Sequence, residues 1–177
     1  MVNYVYIATS LDGFIATSDG GLDWLDEIPN PEKSDFGYTD FMSGIDAIVM
    51  GRKTFEKVMT FDFWPYAKPV YVPSNSKVKV PKDLENKVEI VTGNPKELVV
   101  QLKELGHQDL YIDGGITIQG FLEEDLIDEL IITRVPVLLG NGIPLFGPLT
   151  QRLYFKHERT ESLNEMLVKS HYTRVRE

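Results

Sequence analysis

Hydrophobic positions along the 177-residue chain fall into two rhythms, one with a strand's period and one with a helix's. Short β-branched and aromatic runs at residues 3–9, 47–50, 70–72, 88–91, 110–112 and 130–133 predict strands. The fully apolar run Ala47-Ile48-Val49-Met50 predicts a central, parallel one. Helical stripes lie between them. Ser34 is an N-cap candidate, and Tyr38, Phe41, Met42 and Ile45 follow at the spacing of a half-buried helix. The clearest helix spans residues 94–106. Asn94 can cap it, Pro95 suits its first position, and Glu97 can bond back to the cap. Leu98, Leu102 and Leu105 line one face, and Gly106 ends it. Residues 17–34 read as loop, marked by Asp19-Gly20-Gly21 and Pro29-Asn30-Pro31. Runs near 153–160 and 166–174 resemble an antiparallel pair at a sheet edge. The expected fold is therefore α/β, a mostly parallel central sheet with an antiparallel C-terminal hairpin and flanking helices, in one domain over residues 1–177.

Composition narrows the function classes. The chain has no cysteine, which removes disulfides, thiolate zinc sites and cysteine nucleophiles and agrees with a reducing cytoplasm. His107, His157 and His171 are scattered, so no metal is expected. A net charge of −9 with no basic stripe argues against nucleic acid as the ligand. No apolar run approaches the ~18–20 residues that span a bilayer, and the N-terminus lacks the pattern of a signal peptide, so no membrane partner is expected. A small-molecule partner remains. An anionic one is possible where local cations and backbone amides cradle it.

Two stretches offer such a cradle. In Met50-Gly51-Arg52-Lys53-Thr54-Phe55 a buried strand meets a helix start through glycine, with two cations and a hydroxyl at hand. An ordinary strand–turn–helix with solvated cations would look the same. In Ile112-Asp113-Gly114-Gly115-Ile116-Thr117 another strand enters a helix through paired glycines, which let a phosphate approach the backbone. Tight turns also need glycine without a ligand. Two such turns in one parallel sheet favour the ligand reading, because ligands gather at the carboxyl ends of parallel strands. Neither a Gly-x-Gly-x-x-Gly fingerprint nor a P-loop is present.

Ala8, Ser10-Leu11-Asp12-Gly13-Phe14-Ile15-Ala16, Gly51-Arg52-Lys53-Thr54-Phe55-Glu56 and Asp113-Gly114-Gly115 fall in the order and spacing of the dihydrofolate reductase superfamily, which the chain resembles over nearly its whole length. Ser10-Leu11-Asp12-Gly13 and the stretch from Val135-Pro136-Val137 to Pro144-Leu145-Phe146 look more like one branch of it. That branch contains the reductase domain of bifunctional riboflavin-biosynthesis deaminase–reductases and its stand-alone relatives. The resemblance implies the dihydrofolate-reductase-like three-layer fold and an NADPH site. Ala8 and Ile15 would hold the nicotinamide carboxamide. Gly51, Arg52, Lys53 and Thr54 would meet phosphates. Gly114 and Gly115, joined by a cis peptide and followed by Ile116 and Thr117, would face the pyrophosphate. Ser74 matches the family's Ser-Arg pair near the 2′-phosphate, but Asn75 replaces the arginine, which leaves Lys77 or Arg52 to meet that charge.

The resemblance also implies a buried acid on the first helix. Counting back without gaps from Gly51 reaches Asp35, on the expected apolar face, although an aspartate in a first helical turn is favoured by the dipole in any case. Asp40 is a rival off the stripe. Asp12 is a second candidate for the substrate, against the alternative of a plain Asp-Gly turn. Trp24, Tyr38 and Phe41 could contact a heterocycle, or could simply belong to the core, as could Trp64. Glu123-Glu124-Asp125 reads as a solvated helix end. The expected activity is reduction of a pteridine- or pyrimidine-type heterocycle, like that of 5-amino-6-(5-phosphoribosylamino)uracil, with Arg134 and Arg152 as candidates for a substrate phosphate. Dihydrofolate reductase proper and a non-catalytic nucleotide-binding module are the alternatives. Pairing through the C-terminal strands, as in that branch, would make a homodimer.

Overall fold

The structure, a computed structural model, describes residues 1–176. Its main sheet has the order β5 (Val88–Val91), β4 (Val70–Pro73), β3 (Ala47–Met50), β6 (Asp109–Asp113), β1 (Val2–Thr9), β7 (Glu129–Arg134), β10 (Leu167–Val175) and β9 (Tyr154–Leu163). Every pairing from β5 across to β7 is parallel. The pairings β7–β10 and β10–β9 are antiparallel, so the C-terminal hairpin closes the sheet as expected and is longer than its apolar runs suggested. A small second sheet pairs β2 (Phe14–Ala16) with β8 (Ile143–Pro144).

All four residues of β3 are buried, because helices cover both sides of the sheet there. On one face, Leu102 of α4 (Pro95–Glu104) and Ile118 and Phe121 of α5 (Gly115–Glu123) pack with Val5, Val49 and Ile112. On the other, Phe41 of α2 (Tyr38–Ser43) and Phe55 and Val58 of α3 (Arg52–Val58) pack with Ile48, Met50 and Tyr111. Each such side chain contributes about 1.5–3 kcal/mol through burial, which fixes the strand ends beneath the helix starts. Among the described residues no helix is long and apolar enough to cross a membrane.

Helix α4 starts as its sequence predicts. Asn94 Oδ1 accepts from Glu97 N at 3.0 Å and Glu97 Oε2 accepts from Asn94 N at 2.9 Å. It ends at Glu104, however, so Leu105 is exposed rather than on the packed stripe. Helix α2 starts later than the pattern predicts, at Tyr38 instead of Ser34. Phe36 and Gly37 take φ of 54° and 86°, which no right-handed helix admits. The short α1 (Asp23–Asp26) lies where only loop was expected. The end of α5 also differs from a solvated terminus. Asp125 receives Nε and Nη2 of Arg174 at 2.7 and 3.0 Å, and Glu124 pairs with Lys96.

Candidate functional site

Strands β3 and β6 are neighbours in register, with Met50 opposite Asp113, so the two glycine turns lie side by side at the carboxyl edge of the sheet. Gly51 caps α3 and Gly114 caps α5, and neither helix receives a side-chain cap. The first-turn amides of both therefore face the same edge without the partners that Asn94 and Glu97 give α4. The turns are also interlocked. A Cβ on Gly51 would lie 2.6 Å from Thr117 Oγ1, and one on Gly114 would strike Thr54 Oγ1. Gly114 has φ of 88°, where an L side chain is strained whatever the space. The expected cis peptide is not formed: there is none among the described residues, and the turn is made by Gly114's positive φ instead.

The sequence-selected cofactor residues assemble around this edge. A Cβ on Gly115 would lie 3.0 Å from Ile15 Cδ1 and 3.6 Å from Pro144 O, which brings the small β2–β8 sheet against the second turn. Ile116 is 72% exposed beside it. Ala8 is at the carboxyl end of β1, opposite Thr133. Arg52 and Lys53 are exposed, and Arg52 Nη1 pairs with Glu56 Oε1 at 3.2 Å. Ser74 follows β4 at the same edge, but its hydroxyl closes its own turn with Ser76, and Asn75 is exposed.

The acids are arranged differently. Asp35 precedes α2 instead of lying on its apolar face. It is exposed, and its carboxylate accepts from Gly37 N and Thr39 N, each at 2.9 Å. Those contacts, led by the Thr39 side chain, hold it below the ordinary carboxylate range. Asp12 is exposed and fastens two loops, accepting from Ser10 Oγ at 2.6 Å, Gly140 N at 2.7 Å and Leu139 N at 3.2 Å. The Ser10 hydroxyl is the main reason that its carboxyl is also held low. Asp113 is the opposite case. Burial pushes it up to about 6, against the pull of the Gly114 amide, 2.8 Å from Oδ1, and of Tyr111. Three phenols feel its charge. Tyr38 is pushed up to about 12 by burial and then by the Asp113 charge, and Tyr66 and Tyr111 are raised by the same two causes.

Asp113 and Tyr66 are absent from the residues singled out by sequence. A signal for Asp113 exists: period-2 alternation puts it on the same face of β6 as Tyr111, at the strand's last position. For Tyr66, in the loop after α3, the sequence carries none. Trp24 packs with Val135 and Leu167 at the core edge, the blander of its two alternatives. Phe41 stacks on Tyr6 with centroids 4.6 Å apart and meets Tyr111 edge-on at 5.3 Å, so its ring belongs to the packed floor under the site. Among the described residues no cluster of metal-ligating side chains occurs.

This arrangement has close counterparts. The uncharacterized protein YwjB of Bacillus subtilis is 38% identical over 97% of either chain. A crystallised candidate riboflavin biosynthesis protein of Shewanella sp. PV-4 is 49% identical and covers 99% of this chain and 100% of its own, with a TM-score of 0.96. Dihydrofolate reductase of Enterococcus faecalis, solved with NADP(H), shares the fold at 15% identity, covering 98% of this chain and 96% of its own with a TM-score of 0.68. The RibD C-terminal domain family matches residues 3–169, and the chain belongs to that family.

Proposed function

We propose that this chain is a cytoplasmic reductase that uses NADPH to reduce a pteridine- or aminopyrimidine-type heterocycle, in the manner of the riboflavin-pathway reductase of 5-amino-6-(5-phosphoribosylamino)uracil. The observation that carries the reading is the pair of adjoining uncapped glycine turns with a raised-pKa acid beside them. A cradle that a Cβ at Gly51 or Gly114 would fill fits an extended diphosphate. The amides of residues 52–54 and 115–117 would hold it, with Thr54 and Thr117 as hydroxyl donors and Arg52 exchanging Glu56 for a phosphate oxygen. Ala8 and Ile15 would orient the nicotinamide end. NADPH, when bound there, supplies a hydride.

The rest of the chemistry falls to side chains of this chain. A carboxyl near pH 6 keeps part of its protons at neutral pH and can give one up, which suits a general acid. Asp113 thus takes the role expected of Asp35, which is committed to backbone amides. Tyr38 and Tyr66, raised by burial and by the Asp113 charge, remain protonated donors. Asp12 holds the loop at 139–140 over the turn that follows β1. Exposure of Asp35 on its own would favour a non-catalytic nucleotide-binding module, and Asp113 is the reason to prefer catalysis. Mixing the protein with NADPH and a panel of pterins, dihydrofolate and aminopyrimidines separates these. The expected result is cofactor oxidation with one class, lost in Asp113→Asn. NADPH binding without turnover on any of them would identify the module.

The same reading extends to a homodimer. Leu130, Ile132, Val168 and Tyr172 of β7 and β10 line a groove of about 270 Å³ to which no helix contributes a residue. A second copy would bury it. Sedimentation should show a dimer that Val168→Glu dissociates.

A further inference from the structure

Lys169 on β10 is only 6% exposed, an unusual place for an ammonium group. Its Nζ donates to Phe36 O at 2.9 Å. Its ion-pair partner, Glu161 Oε2, is 3.7 Å away, and the same carboxylate already serves Arg159 at 3.2 Å and His171 at 3.5 Å. So distant a counter-charge recovers little of what burial costs, and an apolar side chain of similar volume often serves stability better. Packing does not dictate the choice either. Lys169 borders a cleft of about 590 Å³ shared with Asp40, Glu129 and Arg159. What the ammonium does hold firmly is one carbonyl, and the Tyr6 hydroxyl donates to that same Phe36 O at 3.0 Å.

The carbonyl belongs to a turn that the backbone disfavours. A bulky residue at φ of 54°, followed by Gly37 at 86°, persists only where its surroundings over-determine it. Ser34 Oγ accepts Phe36 N at 3.1 Å, and the Asp35 carboxylate takes the amides of Gly37 and Thr39. Lys169 and Tyr6 complete the set on the carbonyl side. The next residue is Tyr38, whose ring meets Tyr6 edge-on at 5.8 Å and packs in the cluster around Tyr111, on the face of β6 that carries Asp113.

We propose that Lys169, together with the Tyr6 hydroxyl, is a positioning residue that clamps the Phe36–Gly37 turn through the Phe36 carbonyl and thereby seats Tyr38 on the face of β6 that carries Tyr111 and Asp113. The inference rests on Asp113 being the acid of the reductase site. Its test is the titration of the Asp113 carboxyl, followed by carbon NMR on the full chain without cofactor, in Lys169→Met and Tyr6→Phe. Loosening Tyr38 admits water, so the midpoint should fall from about 6 toward the ordinary range by about one pH unit in Lys169→Met. The Gly37 and Thr39 amides should exchange about tenfold faster, and the melting temperature should be no lower than the wild type's. Tyr6→Phe, which keeps the ring, should shift both readouts the same way by less. An unchanged Asp113 midpoint and unchanged exchange in folded Lys169→Met would overturn the proposal. Should that variant not fold, Tyr6→Phe decides by the same two readouts. Neither readout needs NADPH or substrate, so a wild type that binds no NADPH would sink the reductase reading and leave the clamp standing.

Discussion

Helix α4 and the pair α3 and α5 all begin at the carboxyl end of a parallel strand, yet their starts are built oppositely. At α4, Asn94 and Glu97 satisfy each other's backbone amides in a closed capping box. At α3 and α5 the cap positions are Gly51 and Gly114, and no side chain serves them. Glycine in place of a polar cap gives up only roughly a few tenths of a kcal/mol, so these starts stay stable while their amides stay open. The same chain forms a full cap where nothing else needs the amides. Side-chain caps are also missing at the short α1 and α2, but among the described helices only α3 and α5 start uncapped at the ends of adjacent strands, beside a strand-end carboxyl that burial raises to about 6. On the proposed function, the contrast separates a helix start made for stability from a pair open to an anion.

The largest effect is expected from breaking the uncapped pair itself. Gly114→Ala puts a Cβ onto Thr54 at a φ of 88°, and should weaken NADPH binding by about 3 kcal/mol, roughly a hundredfold, in a fluorescence titration. Next is Asp113, whose carboxyl binds its proton more tightly in the folded chain than in the unfolded one. Its stabilising share is whole below about pH 4 and is lost as pH rises through about 6. Asp113→Asn should therefore match the wild type in urea unfolding at pH 4 and exceed it by on the order of 2–3 kcal/mol at pH 8. Arg52→Ala should cost about 1.5–3 kcal/mol of NADPH affinity and leave stability nearly untouched, since its Glu56 pair is exposed. The smallest effect sharpens the contrast from the other side. Asn94→Ala should lower stability by about 1 kcal/mol in the same unfolding assay while NADPH affinity stays unchanged.

Much of the frame was legible because local rules agree there. The apolar run 47–50, the Asn94-Pro95-Glu97 box and the paired glycines each name an element on their own, and the sheet assembles them as expected. The proposed acid was not legible by counting. An ungapped count assumes that α2 begins at Ser34, and Phe36 at positive φ breaks that assumption in a way no propensity signals. Asp35 then accepts the Thr39 amide at the start of α2, and Asp113, half-hidden in a motif read for its glycines, is the carboxyl that burial raises. The role of Lys169 depends on β10 lying across from the turn before α2, a contact between residues 133 positions apart. Long-range pairing of that kind leaves no trace in a local pattern.

The measurement that bears most directly on the central claim is calorimetric titration of the wild-type protein with NADPH at fixed salt, repeated with Gly114→Ala and Asn94→Ala. Micromolar binding by the wild type and Asn94→Ala, lost in Gly114→Ala, is the expected result. No binding by the wild type, or equal binding by all three, would contradict the assignment of the uncapped turns to the cofactor.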